Sequence, residues 1–185
     1  MQAIDLLLQR RSARALTEPA PDADTLRLLL AAAARAPDHG RLRPWRFIVI
    51  RGAGRERLGE LLAAHARRLH PAASEESLAR ERAKALRAPL VLVVAAQCQT
   101  EVKVPRLEQE LSAACAAHAI MLAAVALGFN AMWKTGGAAY DAQVKEALGL
   151  AAEDALIGFI YLGTEPAPAR DTALRVPEDR LREWP

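Results

Sequence analysis

KVPRLEQELSAACAAHAIMLAAVALGFNAMWKTG, residues 103–136, decides the fold. From Leu111 to Trp133 it contains no Lys, Arg, Asp or Glu. A stretch of that length could span a bilayer. Ser112, His118, Gly128 and Asn130 interrupt it, however, and much of it is weakly apolar alanine. The pattern predicts a buried central helix or a subunit interface over residues 106–127, not a membrane span. Gly128 supplies the helix stop. NAMWK (130–134) then reads as a strand and TGGAA (135–139) as a tight turn.

Toward the C-terminus, Asp141 can cap a helix over 142–148, which Gly149 ends. ALIGFIYLG (155–163) reads as a buried strand. Toward the N-terminus, PLVLVVAAQ (89–97) is apolar on both faces, as a central strand requires. A charged helix over 75–87 precedes it. HPAAS separates this from a helix over 54–69 with Leu58, Leu61, Leu62 and Leu69 inward. WRFIVI (45–50) is a strand. Pro21, Asp22 and Asp24 start a helix carrying Leu26, Leu29, Leu30 and Ala33 on one face, and Pro37 stops it. Residues 2–9 form a short amphipathic helix with Ile4, Leu7 and Leu8 on one side. The order of elements indicates an α+β arrangement. We expect one domain over 1–185, with 164–185 an extended tail anchored by Leu174, Val176, Leu181 and Trp184.

The 185 residues are 52% hydrophobic and 25% charged, which excludes a disordered chain. Net charge is +3, without the basic stripe and interleaved aromatics of a nucleic-acid binder. Two distant cysteines, Cys98 and Cys115, form no CxxC and no zinc spacing. MQAIDLLLQRR is broken by Asp5 and too short in its apolar run for a signal peptide. These features predict a reduced, cytoplasmic protein.

No nucleophile elbow, HExxH or Walker lysine occurs, and no two histidines have metal-ligand spacing. His118, inside the apolar helix, reads as a core histidine. RGAGRERLG after the first strand lacks the third glycine of a dinucleotide loop and reads as a turn. If the chain is an enzyme, an organic cofactor carries the chemistry and no side chain acts as nucleophile. QRRSARAL (9–16) concentrates Arg10, Arg11, Ser12 and Arg14. It is either a solvated patch or a phosphate site, since the guanidinium fork donates two parallel bonds. RAPDHGRLRPW (35–45) adds Arg35 and His39.

Taken in order, RRSARAL, APDH…PWRFIVI, the 103–136 stretch and GFIYLGT resemble the nitroreductase family of flavin mononucleotide (FMN) enzymes, closest to its compact members, from Ile4 to about Thr164. The resemblance implies a mainly antiparallel sheet sandwiched by helices. It implies an intertwined homodimer with FMN at the interface and helix 106–127 as the dimer core. It assigns Arg10, Arg11 and Ser12 to the FMN phosphate and ribityl end. Arg35, His39, Trp133, Lys134, Thr135 and Gly136 would line the flavin, with Lys134 and the amides near Thr135 and Gly136 stabilising its reduced form. Ala123, Ala124, Val125, Ala126, Leu127 and Gly128 match a nicotinamide-nucleotide segment. The activity implied is ping-pong transfer of hydride from NADH or NADPH to a nitroaromatic, quinone or similar small acceptor. Alternatives on the same scaffold are flavin fragmentation, dehalogenation, or a flavin-binding dimerisation module without turnover. The chain departs from the family pattern in having PDHG where many members carry Asn or Ser. It also lacks an evident C-terminal phosphate-gripping segment, with Arg170 and Arg175 unmatched.

Overall fold

The computed structural model describes residues 2–13, 15–167 and 178–184. Arg14, Arg170, Leu174, Arg175 and Val176 lie outside the described residues. In chain order the elements are α1 (Ala3–Gln9), α2 (Ala23–Ala33), β1 (Trp45–Arg51), α3 (Ala53–Leu69), α4 (Glu75–Lys84), β2 (Leu90–Ala96), α5 (Arg106–Ala126), β3 (Asn130–Lys134), α6 (Ala142–Ala147) and β4 (Ala155–Gly163). Short 3-10 turns cover His39–Arg41, Gly137–Tyr140 and Glu178–Arg180.

Capping chemistry sets the helix ends. The Asp22 and Asp141 carboxylates accept from the amides of Thr25 and Val144, and the Ser74 hydroxyl from that of Ser77. At the end of α5, Gly128 (φ 85°) lets its amide reach Val125 O and that of Phe129 reach Ala124 O. Gly149 ends α6 in the same way, through Glu146 O and Lys145 O. The helix expected over 75–87 stops at Lys84. The amides of Ala85 and Leu86 tighten onto Arg82 O and Ala83 O as the chain approaches Pro89, which disfavours helix before it. Leu69, expected inward, is exposed because it is the last residue of α3.

The four strands form one sheet in the order β1-β2-β4-β3, every pair antiparallel. β2 is buried along its whole length, as its two-faced apolar pattern requires. Alternation divides its side chains. Val91, Val93 and Ala95 meet Phe159, Tyr161, Met132, Leu58 and Leu62 of α3, and Val144 of α6. Leu90, Leu92 and Val94 meet Ile160, Leu162, Leu29 of α2, and Ala116, Ile120 and Ala124 of α5. The sheet is therefore sandwiched, with α3 and α6 on one face and α2 and α5 on the other.

α5 is long and apolar enough to cross a membrane by length and composition, yet it is a half-covered core helix. Ala113, Ala116, Ala117 and Ile120 pack on the sheet, while Leu107, Leu111, Cys115 and His118 are exposed on the chain. His118 is thus not a core histidine: its helical position turns it away from the sheet. α1 buries none of its residues, and Ile4, Leu7 and Leu8 are each more than half exposed.

Candidate functional site

The arginine-rich segment after α1 runs beside the start of β3. The Ala13 amide donates to Ala131 O at 3.1 Å, and Thr17 exchanges backbone bonds with Thr164, just past β4. Arg11 turns inward. Its two terminal nitrogens donate to the two Glu165 oxygens at 2.7 and 2.5 Å, and the Asn130 amide donates to the same carboxylate at 2.9 Å. The bond from Arg11 holds the Glu165 carboxyl below its ordinary value against the opposing effect of burial, and Asn130 adds to it. Arg11 was expected to lend charge to a phosphate. Its charge is instead balanced within the chain, because Glu165 presents a two-oxygen acceptor to its fork. Arg10 is half-buried and its side chain has no partner among the described residues; Ser12 is exposed.

β3 separates the other expected residues. Successive side chains of a strand point to opposite faces. Trp133 packs on the α2/α5 face, and its indole N–H donates to Ile157 O at 3.1 Å. There it lines a mostly apolar cleft of about 470 Å³ with Arg35, Ala36, Pro37, Cys115 and His118. Lys134, Thr135 and Gly136 line a different cavity, of about 510 Å³, on the α3 side. Trp133 and Lys134, adjacent in the strand, therefore open onto opposite faces of the sheet. His39 also stands apart from Arg35 in the cleft: its Nδ1 is 2.6 Å from Glu108 Oε2 in the first turn of α5. In Ala123–Gly128 the amides of Leu127 and Gly128 are taken up by the helix stop. The small residues there serve helix packing, with Ala124 fully buried.

Glu165 and Asn130 are the partners that sequence reasoning missed. Glu165 stands two residues past the last strand, and a lone carboxylate one residue beyond YLGT was the available signal.

The α3-side cavity is braced by Asp141. Its carboxylate accepts from the Val144 amide at 2.9 Å and from Arg68 at 2.9 Å, and lies 2.8 Å from His65 Nδ1. Burial opposes its ionisation, but these partners win and hold the Asp141 carboxyl below its ordinary value, at about 2. A depressed carboxyl stabilises the fold above its unfolded value and loses that contribution as pH falls through its folded value. Asp141→Ala is therefore expected to cost about 1–3 kcal/mol at neutral pH. The difference from the parent in thermal melts should close as pH falls from about 4 toward about 2. A gap of constant size across that range would contradict the assignment.

The comparisons with known proteins converge. A family model described as "Nitroreductase family" matches residues 7–164. This chain belongs to the nitroreductase family. Among curated relatives of this nitroreductase-family chain, the Escherichia coli (strain K12) protein named "Putative NAD(P)H nitroreductase YdjA" is 43% identical over 178 residues, covering 96% of each chain. A crystal structure of a nitroreductase-like family protein from Bacillus cereus superimposes with a TM-score of 0.84 at 23% identity, over 100% of this chain and 96% of that one. One from Desulfovibrio desulfuricans, described as "a putative nitroreductase in complex with fmn", has a TM-score of 0.75 at 27% identity, over 98% and 96%. The α+β nitroreductase fold expected from the sequence is the fold observed.

Proposed function

We propose that the chain is an FMN-dependent oxidoreductase that draws electrons from NADH or NADPH and reduces electron-poor acceptors of the nitroaromatic or quinone class in two half-reactions. Family membership, with close NAD(P)H nitroreductase relatives and a solved neighbour holding FMN, supports the activity. The observation that carries the site is the half-buried Arg10, without a partner among the described residues, with the exposed Ser12 two positions on. That donor pair fits a phosphate monoester. The walls of the Trp133 cleft, apolar with one indole and one guanidinium, fit a flat, electron-poor ring. Trp133 lies about 7 Å along β3 from Ala131, where the Arg10 segment is pinned. The residues present therefore fit FMN.

The chemistry FMN would supply here is two-electron exchange between the nicotinamide and the acceptor. The chain's own residues bind and orient. Arg10 and Ser12 hold the phosphate end, and Arg11 contributes by fixing the backbone through Glu165. Trp133, with Arg35 opposite, positions the ring and excludes water from one face. Gly136, with φ 90° and nothing within 4 Å of an added Cβ, lets backbone approach a ligand at the end of β3.

A second copy of the chain completes the site in this proposal. The exposed apolar edge of α5 (Leu107, Leu111) and the uncovered face of α1 need a partner surface, and both flank the proposed cofactor residues.

The visible spectrum of purified protein, before and after anaerobic NADH or NADPH, tests the reading. A yellow protein that bleaches with either nucleotide is the expected result. A protein that stays colourless after added FMN overturns it. Bound flavin that neither nucleotide bleaches would leave a flavin-binding module without turnover.

A further inference from the structure

The loop between α2 and β1, residues 38–44, is held in a shape that its sequence resists. Gly40 has φ 74°, and Arg41 and Arg43 have φ 55° and 51°. Among the described residues, these two arginines are the only non-glycine residues in that left-handed region. Backbone strain of this kind persists only where the surroundings over-determine it. Here they do. Asp38 accepts from the Arg41 amide with its carbonyl at 3.1 Å and from the Arg43 amide with its carboxylate at 2.8 Å. Arg46 donates to the Arg43 carbonyl at 3.0 Å, and Gln99 to that of Leu42 at 3.4 Å. His39 is tied to Glu108 of α5. Gly40 sits so close to Val104 that an added Cβ would lie 3.3 Å from its Cγ2.

What the loop presents is charge. The Arg41 and Arg43 side chains are exposed and have no hydrogen-bond or carboxylate partner among the described residues. The acids around them are engaged: Asp38 by the Arg43 amide, Glu108 by His39 and Glu110 by Arg106. In the adjoining 97–105 loop, the exposed Glu101 and Lys103 cancel in charge. The loop adjoins the Trp133 cleft. Arg35, Ala36 and Pro37, the three residues before it, line that cleft, and so does Leu111, close to one helical turn past Glu108. From there the cleft follows α5 past His118, about 15 Å along the helix from Glu108. A nitroaromatic or quinone is shorter than that span, whereas a dinucleotide covers it.

We propose that Arg41 and Arg43 bind the 2′-phosphate of NADPH and so make this chain prefer NADPH to NADH. The proposal rests on the reading of the chain as an FMN oxidoreductase with its ring site in the Trp133 cleft, which puts the adenosine end of the donor at the mouth of that cleft. NADH and NADPH differ at one group, a phosphate monoester on the adenosine ribose. Two unpaired guanidinium groups match that dianion in charge, and each offers a fork of parallel donors. The braced loop fixes where the two side chains start before the ligand arrives, which lowers the ordering cost of binding. For the backbone alone glycine would serve better at both positions, so what arginine adds there is its side chain.

Adenosine 2′,5′-bisphosphate and adenosine 5′-monophosphate, which differ by that phosphate and carry no nicotinamide, are the probes. Calorimetric titration of the full chain, with and without saturating FMN, should show the bisphosphate binding at least about tenfold more tightly, and higher salt should narrow the ratio. Arg41→Gly and Arg43→Gly should each cut the ratio several-fold, and the double variant should bring it close to one. Both glycine variants should also melt above the parent, because they relieve the left-handed strain, so their lost discrimination is not a loss of fold. Arg43→Lys should keep part of the ratio, since the charge remains while the fork is lost. In anaerobic bleaching of the FMN-loaded protein, NADPH should half-saturate at a lower concentration than NADH by a similar factor. Four results would overturn the proposal: no measurable binding of the bisphosphate, equal binding of the two probes, a ratio that survives the double variant, or equal half-saturation by NADH and NADPH. Flavin that neither nucleotide bleaches, in a protein whose probe ratio is lost in the double variant, would overturn the oxidoreductase reading and leave the phosphate site standing.

Discussion

Arg10→Ala is expected to weaken FMN binding by roughly 10- to 150-fold, with little change in thermal stability. A hydrogen bond to a charged group contributes about 1.5–3 kcal/mol, which sets that range. Arg10 is singled out because its guanidinium has no protein partner among the described residues, so its removal leaves no carboxylate behind. Arg11→Ala should behave differently. It strands Glu165, whose side chain is only 13% exposed, and should lower stability as well as flavin affinity. Quenching of flavin fluorescence gives the affinity, and circular dichroism melts give the stability. Equal FMN affinity in Arg10→Ala and the parent would remove the phosphate assignment.

Gly158→Ala should be the most damaging single methyl in the sheet. A Cβ at that position would lie 2.1 Å from Nε1 and 2.6 Å from Cδ1 of Trp133, with Lys134 O at 3.1 Å. The indole lies directly over the glycine, on β4, and is bonded to the neighbouring Ile157 carbonyl. Either the ring leaves the cleft or the β3–β4 pairing opens. Overpacking costs about 1–3 kcal/mol, and loss of the indole hydrogen bond adds about 1. Flavin binding should fall with it, because the displaced ring is the proposed wall of the cofactor cleft. Adding Trp133→Ala to Gly158→Ala should recover part of the stability, since the clash disappears, and a double-mutant cycle measures that coupling. A melting temperature within a degree of the parent for Gly158→Ala would show that the indole is not held where we place it.

Much of this architecture is legible in the chain because local rules and tertiary packing agree. β3 and β4 were expected over 130–134 and 155–163 and occupy those residues. The two-faced apolar pattern of β2 announced its central place, and Gly128 and Gly149 stop their helices as glycine at that position should. The unread part is of another kind. Arg11 and Glu165 are 154 residues apart, and nothing local couples them. The α3-side cavity draws on α4, β3 and β4, whose proximity depends on strand order. Lys134 is more instructive. Its neighbour Trp133 sits in the same strand, and alternation alone requires the two to face opposite ways. His118 was read as a core histidine from its uncharged flanks, whereas its helical position turns it away from the sheet.

The division of labour along β3 makes the number of residues between the stop of α5 and Gly136 a fixed quantity. Inserting or deleting one there would exchange the tenants of the two compartments, turning the indole toward the α3-side cavity and the lysine toward the apolar cleft. Side chains in this segment can be traded for others of similar size with local consequences only. Its spacing cannot be changed without disabling both compartments at once.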